Sequence, residues 1–262
     1  MKKTFIPEIR ILLNKPEADA EQLFENCFPR NTGWDWSEYT YRRHPDLKQR
    51  LAGIKNKKQF YDICLEYVKD YYKKNKKDLT EAIHLNQDDI DKYGPNFLRT
   101  LAKHFETQWP QEHAVITAYI TISPTCPRFL DTWSFWTGSK GKLGSHRRVM
   151  YHEILHFLWF KKWKEVFPDA DPNEFEGPHL IWKISEIMAP IILNHHPTIQ
   201  LMGQLRDGGY EEFQKAKIGR MKLIPYFERM YLKHLASDEI FDEFLKKLWK
   251  SAMKYRSEIE RI

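Results

Sequence analysis

The spacing of apolar residues predicts helices over most of the first hundred positions of the chain. Residues 19–28 and 57–74 each carry an apolar stripe with helical spacing, which is the pattern of an amphipathic helix. A further helix is expected over residues 93–105, with Pro95 in its first turn, where the missing N–H of proline costs nothing.

The pattern changes at residues 113–124, which read HAVITAYITISP. β-Branched and aromatic residues dominate this segment and Pro124 ends it, so it is predicted to be a strand. It is the strongest strand signal in the chain. Residues 124–144 combine prolines, glycines and tryptophans, and we expect an ordered loop or a short hairpin there.

Helical spacing returns after this loop. Ser145 is a suitable N-cap for a helix that reaches about residue 165, and Pro178 opens a second apolar helix. Two or three further helices are expected to complete the chain, over residues 209–217, 219–236 and 238–260. The expected fold class is therefore α+β and predominantly helical.

The composition fits a folded protein with a sizeable core. Of the 262 residues, 42% are hydrophobic and 15% are aromatic, unlike a disordered chain. There is no apolar run long enough to span a membrane, and the first residues lack the cleavage site of a secretory signal, so a cytoplasmic protein is expected. The predicted regions are an N-terminal helical region (1–108), a metal-binding core (109–200) and a C-terminal helical region (201–262).

Charge and cysteine content restrict the possible functions. The net charge is +6, and lysines are concentrated at residues 55–58 and 73–77. Such runs usually form solvated helix faces, although they also allow a nucleic-acid-associated protein. The cysteines, Cys27, Cys64 and Cys126, are odd in number and widely spaced, which argues against a disulfide framework and a cysteine-based zinc site.

The segment VMYHEILHFLWF, residues 149–160, places polar groups in an almost wholly apolar run. On a helix, His152 and His156 project from the same face, one turn apart. Two imidazole nitrogens so placed can occupy two corners of a tetrahedral zinc site. Glu153 is then a candidate general base, and a metal cluster would compensate the cost of burying its charge.

A hydrolytic zinc site usually has a third protein ligand and an open position. No histidine or glycine follows His156 in the register of a three-histidine motif, which leaves Glu174, Glu176 and Glu186 as candidates. Glu176 lies 20 positions after His156 in an acidic loop, where solvation explains it. Glu186 lies in an apolar helix, where a carboxylate requires a partner, so it is the preferred ligand and Glu176 the alternative.

Together, the strand AYITIS, the HEILH helix and the SEIMAP helix resemble the gluzincin class of zinc metallopeptidases, over residues 113–194. The resemblance implies a zincin-like fold, in which an edge strand of a small sheet packs on the HExxH helix and a glutamate helix and holds an extended peptide. It also implies Zn²⁺ bound by His152, His156 and Glu186, with Glu153 as general base and a peptide or protein as substrate.

The sequence departs from that class at several points. Ser185 replaces the asparagine that usually precedes the glutamate ligand, and no aminopeptidase GAMEN-type motif is present. His179, two turns before Glu186, is either a second partner of the site or a surface residue. The residue that stabilises the transition state is not assigned; its candidates are Tyr210, Tyr226, Tyr231 and His234.

The expected function is a zinc-dependent hydrolase that cleaves peptide bonds. One alternative is a non-catalytic binding or regulatory protein that retains a zincin scaffold. The other is a basic protein that associates with nucleic acid through its lysine-rich helices.

Overall fold

The computed structural model describes residues 5–29, 35–141, 143–200 and 206–262. The chain forms two compact units. The sheet unit comprises Ile9–Ile90 and Val115–His146, and the helical unit comprises the described residues of Met1–Glu8, Asp91–Ala114 and Arg147–Ile262. The predicted class, α+β and predominantly helical, is confirmed at this level.

A four-stranded sheet forms the centre of the sheet unit, with the strand order β1-β2-β4-β3. The strands are β1 (Glu8–Leu13), β2 (Val115–Thr121), β3 (Arg128–Phe129) and β4 (Ser134–Gly138). β2 and β4 are parallel, whereas β3 and β4 form an antiparallel hairpin. The strand predicted within residues 113–124 is therefore confirmed, and of the two alternatives for residues 124–144, an ordered loop or a short hairpin, the structure shows the hairpin.

The position of β2 in the sheet corrects one expectation. The predicted strand was expected at an edge, but β2 lies between β1 and β4. Its backbone groups therefore face a neighbouring strand on each side. Because only an edge strand can accept an added peptide by β-augmentation, β2 cannot bind a substrate in this way.

β1 was not predicted from the sequence. Ile9 and Ile11 are buried whereas Glu8 and Arg10 are exposed. This is the period-two pattern of a strand with one face on a core. Glu8 and Arg10, which interrupt the apolar residues near the start of the chain, thus form the outward face of a strand.

The sheet unit also contains helices. They are α1 (Pro16–Cys27), α2 (Ser37–Arg43), α3 (Pro45–Leu51), α4 (Lys57–Lys74) and the first part of α5 (Lys76–His104). α1 and α4 pack together through their apolar stripes, where Phe24 and Phe60 meet edge to face at 5.8 Å. The helices predicted at residues 19–28 and 57–74 are confirmed.

α5 corrects the prediction of a separate helix starting near residue 93, because it is continuous through Pro95. A proline inside a helix removes one backbone hydrogen bond and usually kinks or ends it. Ile90 and Phe97, on either side of Pro95, are both buried. Burial of the flanking turns therefore outweighs the local cost of the proline.

The helical unit contains the remaining helices. They are most of α6 (Leu143–Val166), a 3-10 helix (Pro172–Phe175), α7 (Leu180–His195), α8 (Pro197–Gln200), α9 (Glu211–Lys215), α10 (Leu223–Leu235), α11 (Phe241–Lys254) and α12 (Arg256–Glu260). The helices predicted over residues 146–165 and after Pro178 correspond to α6 and α7.

A small hairpin separates α9 from α10 and was not predicted. It pairs β5 (Lys217–Ile218) with β6 (Met221–Lys222). Gly219 opens the two-residue turn with φ +56°, a conformation that glycine adopts without steric cost. In the part of the chain that the structure describes, the helices fall short of the length and apolar content that a bilayer crossing requires.

Candidate metal centre

The candidate centre lies on two buried helices of the helical unit. On α6, Ile154, Leu155 and Leu158 are fully buried, and α7 is buried along nearly its whole length. Helices that are apolar on almost every side belong to a protein interior. Each polar side chain on them therefore needs a specific partner.

Three of the predicted residues meet at one point between these helices. One ligand atom each from His152, His156 and Glu186 lies within 4.8 Å of the other two. Nε2 of His152 is 3.0 Å from Oε2 of Glu186, and Nε2 of His156 is 3.4 Å from Oε1 of the same carboxylate. In a tetrahedral site with bonds of about 2 Å, neighbouring ligand atoms are about 3.3 Å apart, so these two separations are close to those of such a site. The three residues could therefore hold a metal ion.

The three side chains differ in their access to solvent. His156 is fully buried and the side chain of Glu186 is 4% exposed, whereas that of His152 is 14% exposed. The centre is thus closed at His156 and reachable beside His152. A catalytic zinc site needs such an opening, because one coordination position must admit water or substrate.

Asp207 contacts the other nitrogen of His152 and was not singled out from the sequence. Its Oδ2 lies 2.7 Å from His152 Nδ1, and Arg148 Nη1 donates to its Oδ1 at 3.1 Å. Asn194, on α7, fixes the Asp207 backbone: Nδ2 donates to the carbonyl at 2.7 Å, and Oδ1 accepts the N–H at 2.9 Å. A carboxylate in this position orients a metal-binding imidazole and raises its basicity.

The electrostatics of the centre favour positive charge. Burial lowers the pKa of His152, but the carboxylates of Asp207 and Glu186 outweigh burial and raise it well above its usual value. Burial raises the pKa of Glu186, yet His156 and His152 hold it well below its usual value. For Asp207, the effect of burial is outweighed by His152, Gly209 N–H and Arg148, which lower its pKa to about 2. Two ionised carboxylates are thus buried around two imidazoles.

The other predicted glutamates have different surroundings. Glu153 follows His152 on α6 and is half-buried. Glu174 is half-buried in the 3-10 helix, whereas Glu176 is exposed at its end. The structure thus brings Glu186, rather than Glu176, to the histidines. His179 is exposed at the N-cap of α7, which favours a surface residue.

Most candidates for stabilising a transition state have their recorded contacts elsewhere. Tyr231 OH is 3.0 Å from His104 Nε2, His234 stacks on Phe244 at 4.6 Å, and Tyr226 packs against Tyr255 at 5.6 Å. Tyr210 lies three positions after Asp207 and packs edge to face on Trp182 at 5.9 Å. Of the four, Tyr210 is the nearest along the chain to a residue of the centre.

The lysine-rich segments lie on the sheet unit. All lysines at residues 55–58 and 73–77 are exposed, around the start of α4 and the junction of α4 with α5. Exposed lysines at helix ends are typical of a solvated surface. They do not by themselves identify a partner.

Comparisons with protein-family models, with curated proteins and with solved structures returned no match for this chain. Functional inference therefore depends on the chemistry of the centre itself.

Proposed function

We propose that the chain is a zinc-dependent hydrolase that cleaves peptide bonds, with zinc bound by His152, His156 and Glu186. The observation that carries the proposal is the convergence of these three donors on one buried point. Two imidazoles and one carboxylate are a common ligand set of catalytic zinc. The gluzincin-like order of the motifs in the sequence supports the choice of zinc and of a peptide substrate.

Charge balance supports a divalent cation. Glu186 and Asp207 contribute two negative charges to the buried centre, and the imidazoles are neutral when they bind a metal. Arg148 reaches Asp207 from a side chain that is 33% exposed, so its charge is partly screened by solvent. A divalent ion would neutralise the two carboxylates where they are least solvated.

The residues around the ion have separate roles in this proposal. Zinc in such a site supplies Lewis acidity, which polarises a carbonyl group and makes water acidic near neutral pH. Glu153 accepts the proton of the attacking water and passes it to the leaving amine nitrogen. Asp207 accepts a hydrogen bond from Nδ1–H of His152, which leaves the Nε2 lone pair of that ring free to bind a metal.

Metal content and the substitution Glu153→Gln test the proposal together. We expect one zinc per chain by elemental analysis of the purified protein. Glu153→Gln should retain zinc but slow hydrolysis of a quenched fluorescent peptide library by about 10²–10⁴-fold, the usual contribution of a general base.

The matched control is Glu176→Gln, the same chemical change at an exposed position. It should alter neither zinc content nor hydrolysis. Purified protein without zinc would remove the proposal. A Glu153→Gln protein that hydrolyses peptides at the original rate would remove Glu153 as the base.

The second candidate function is a non-catalytic binding or regulatory protein that keeps the metal as a structural element. It is favoured by the recorded contacts of Tyr226, Tyr231 and His234, which are to residues outside the centre. In that case, zinc would be present and stabilise the fold, but no member of the peptide library would be cleaved. The same Glu153→Gln protein would then keep its cellular activity.

A further inference from the structure

A polar cavity lies in the helical unit, lined by residues that do not belong to the candidate metal centre. Its volume is about 590 Å³, which is within the range of small-molecule sites. Three histidines line it: His104 at the end of α5, His196 at the C-cap of α7, and His234 on α10. The ring of His104 is 4.7 Å from that of His196 and 5.9 Å from that of His234.

Two cations of the cavity lining have no counter-ion among the described residues. Arg99 and Lys103 are exposed and lie one helical turn apart on α5. Within residues 5–29, 35–141, 143–200 and 206–262, neither side chain makes an ion pair or a hydrogen bond. Their charges are therefore available to a ligand.

The acidic residues of the lining are already engaged. Glu106 Oε2 accepts the backbone N–H of Phe241 at 3.1 Å. Glu239 forms an ion pair with Lys247 and lies 3.6 Å from Nδ1 of His234. Both acidic groups of the lining thus already have partners, whereas the charges of Arg99 and Lys103 remain available.

The histidines add buried polar atoms to this positive charge. Nδ1 of His196 is buried and makes no hydrogen bond to another residue that the structure describes. Nδ1 of His234 is also buried, with the Glu239 carboxylate as its recorded neighbour. A buried nitrogen of this kind is unfavourable unless a ligand or water satisfies it.

We propose that this cavity binds the phosphate group of a small phosphorylated molecule. Arg99 supplies a planar donor fork and Lys103 a point charge, the two groups that proteins commonly use to bind phosphate. The hydroxyl groups of Thr100, Thr198 and Ser237 also line the cavity and can donate to phosphate oxygens. The site is separate from the proposed zinc ligands.

Binding of such an anion should take up protons. Burial lowers the pKa of His104, His196 and His234, so all three are neutral in the free protein near neutral pH. Lys103 lowers the pKa of His196 further, the other two histidines lower that of His104, and Glu239, Glu106 and Lys247 act on His234. A dianion near these rings favours their protonated forms.

Calorimetric titration of the purified protein with sulfate tests the proposal. Sulfate keeps a constant charge over the range in which histidine titrates, so any pH dependence of its affinity comes from the protein. We expect saturable binding that strengthens from about pH 8 to about pH 6. The double variant Arg99→Gln/Lys103→Gln should weaken it about tenfold or more, because charge-assisted hydrogen bonds are lost.

The matched control is Lys250→Gln/Lys254→Gln, which removes two exposed cations with the same spacing on α11. It should change the affinity less than about twofold. Equal weakening in both double variants would overturn the proposal, because binding would then reflect net charge alone. No saturable binding of sulfate or inorganic phosphate would also overturn it.

Two further arms identify the ligand and separate this site from the metal centre. Succinate carries two carboxylates, and equal affinity for succinate and inorganic phosphate would overturn the assignment to phosphate. Anion bound at a zinc ion would persist in Arg99→Gln/Lys103→Gln and would disappear in Glu186→Gln. The opposite pattern is expected for this cavity, whether or not the protein contains zinc.

Discussion

The helical unit contains two histidine clusters with nearly the same ring geometry and opposite electrostatics. His152 and His156 meet edge to face with ring centres 4.7 Å apart and a 71° interplanar angle. His104 and His196 meet at 4.7 Å and 74°. The pKa of His152 is raised, whereas those of His104 and His196 are lowered.

The carboxylates account for the difference. Glu186 lies between the rings of the first cluster, and Asp207 contacts His152 from behind. In the second cluster, the recorded carboxylate contact is that of Glu239 with His234 at 3.6 Å, and the nearest partner of His104 Nε2 is the neutral hydroxyl of Tyr231. Ring spacing alone therefore does not separate the two clusters; the buried negative charge beside the rings of the first cluster is what favours a cation there.

Removing the carboxylate between the rings of the first cluster should have the largest effect on zinc affinity. Glu186→Gln deletes one proposed ligand and one buried negative charge, so the first cluster comes to resemble the second. We expect zinc affinity to fall by more than about 100-fold, beyond the usual effect of an outer residue. Competition with a chromophoric chelator measures this affinity.

The control for Glu186→Gln is again Glu176→Gln, which should keep the original affinity. The far-ultraviolet circular dichroism spectrum of both variants checks that α6 and α7 remain folded. A folded Glu186→Gln protein with unchanged zinc affinity would contradict the assignment of Glu186 as a ligand.

Asp207→Asn should have the next largest effect on zinc affinity. The amide keeps the shape of the side chain but loses the charge that supports His152. We expect a fall of about 10–100-fold in zinc affinity, the range observed when the partner of a metal-binding histidine is changed. Chelator competition measures it, with the exposed Asp238→Asn as the control.

The result would separate two roles of Asp207. If zinc affinity is unchanged but the free energy of unfolding falls, the Asp207 side chain stabilises the loop through Arg148 and Gly209 without supporting the metal. A loss of affinity at unchanged stability would show that it acts through His152.

The centre could be predicted in part because its signals are local. His152 and His156 have helical spacing, and Glu186 is a carboxylate in an apolar helix, where burial without a partner is unfavourable. Asp207 has no such signal. It lies in the turn-like sequence RDGGY, and its role depends on a contact with a residue 55 positions away.

Prediction of the fold has the same limit, because features that depend on long-range contacts have no local signal in the sequence. β2 was predictable from its β-branched residues, but its central position depends on pairing with β1. Glu8 and Arg10 concealed β1, because charged residues on the outward face look like interruptions when the alternation is not tested. α5 was cut near Pro95 since local propensity penalises proline, whereas burial of Phe97 and Ile90 is a tertiary effect.

The second cluster should also make stability depend on pH. This effect should be smaller than the losses of zinc affinity described above. The pKa values of His104, His196 and His234 are lowered in the folded state, so the unfolded chain binds more protons below about pH 6.5. Their contribution to stability is therefore present above that pH and is lost as pH falls. Urea unfolding across this range should show it.

The variant His196→Gln tests the source of this pH dependence. It should make the fall in stability below about pH 6.5 less steep than in the original protein. The control is His179→Gln, at an exposed position, which should leave the slope unchanged. An equal slope in all three proteins would show that His196 does not contribute to acid destabilisation.

Tyr231→Phe, a change next to the second cluster, should have the smallest effect of these variants, a small loss of stability. It removes the hydroxyl 3.0 Å from His104 Nε2, and loss of one partly buried hydrogen bond should lower the free energy of unfolding by about 1 kcal/mol. Zinc content and hydrolysis should stay unchanged, because the recorded partner of this hydroxyl, His104, belongs to the second cluster. Tyr226→Phe is the matched control, since its ring packs on Tyr255 and should tolerate the change. If Tyr231→Phe instead abolishes hydrolysis while zinc and stability are retained, the tyrosine acts on the reacting carbonyl. The two clusters would then have to be treated as parts of one active site.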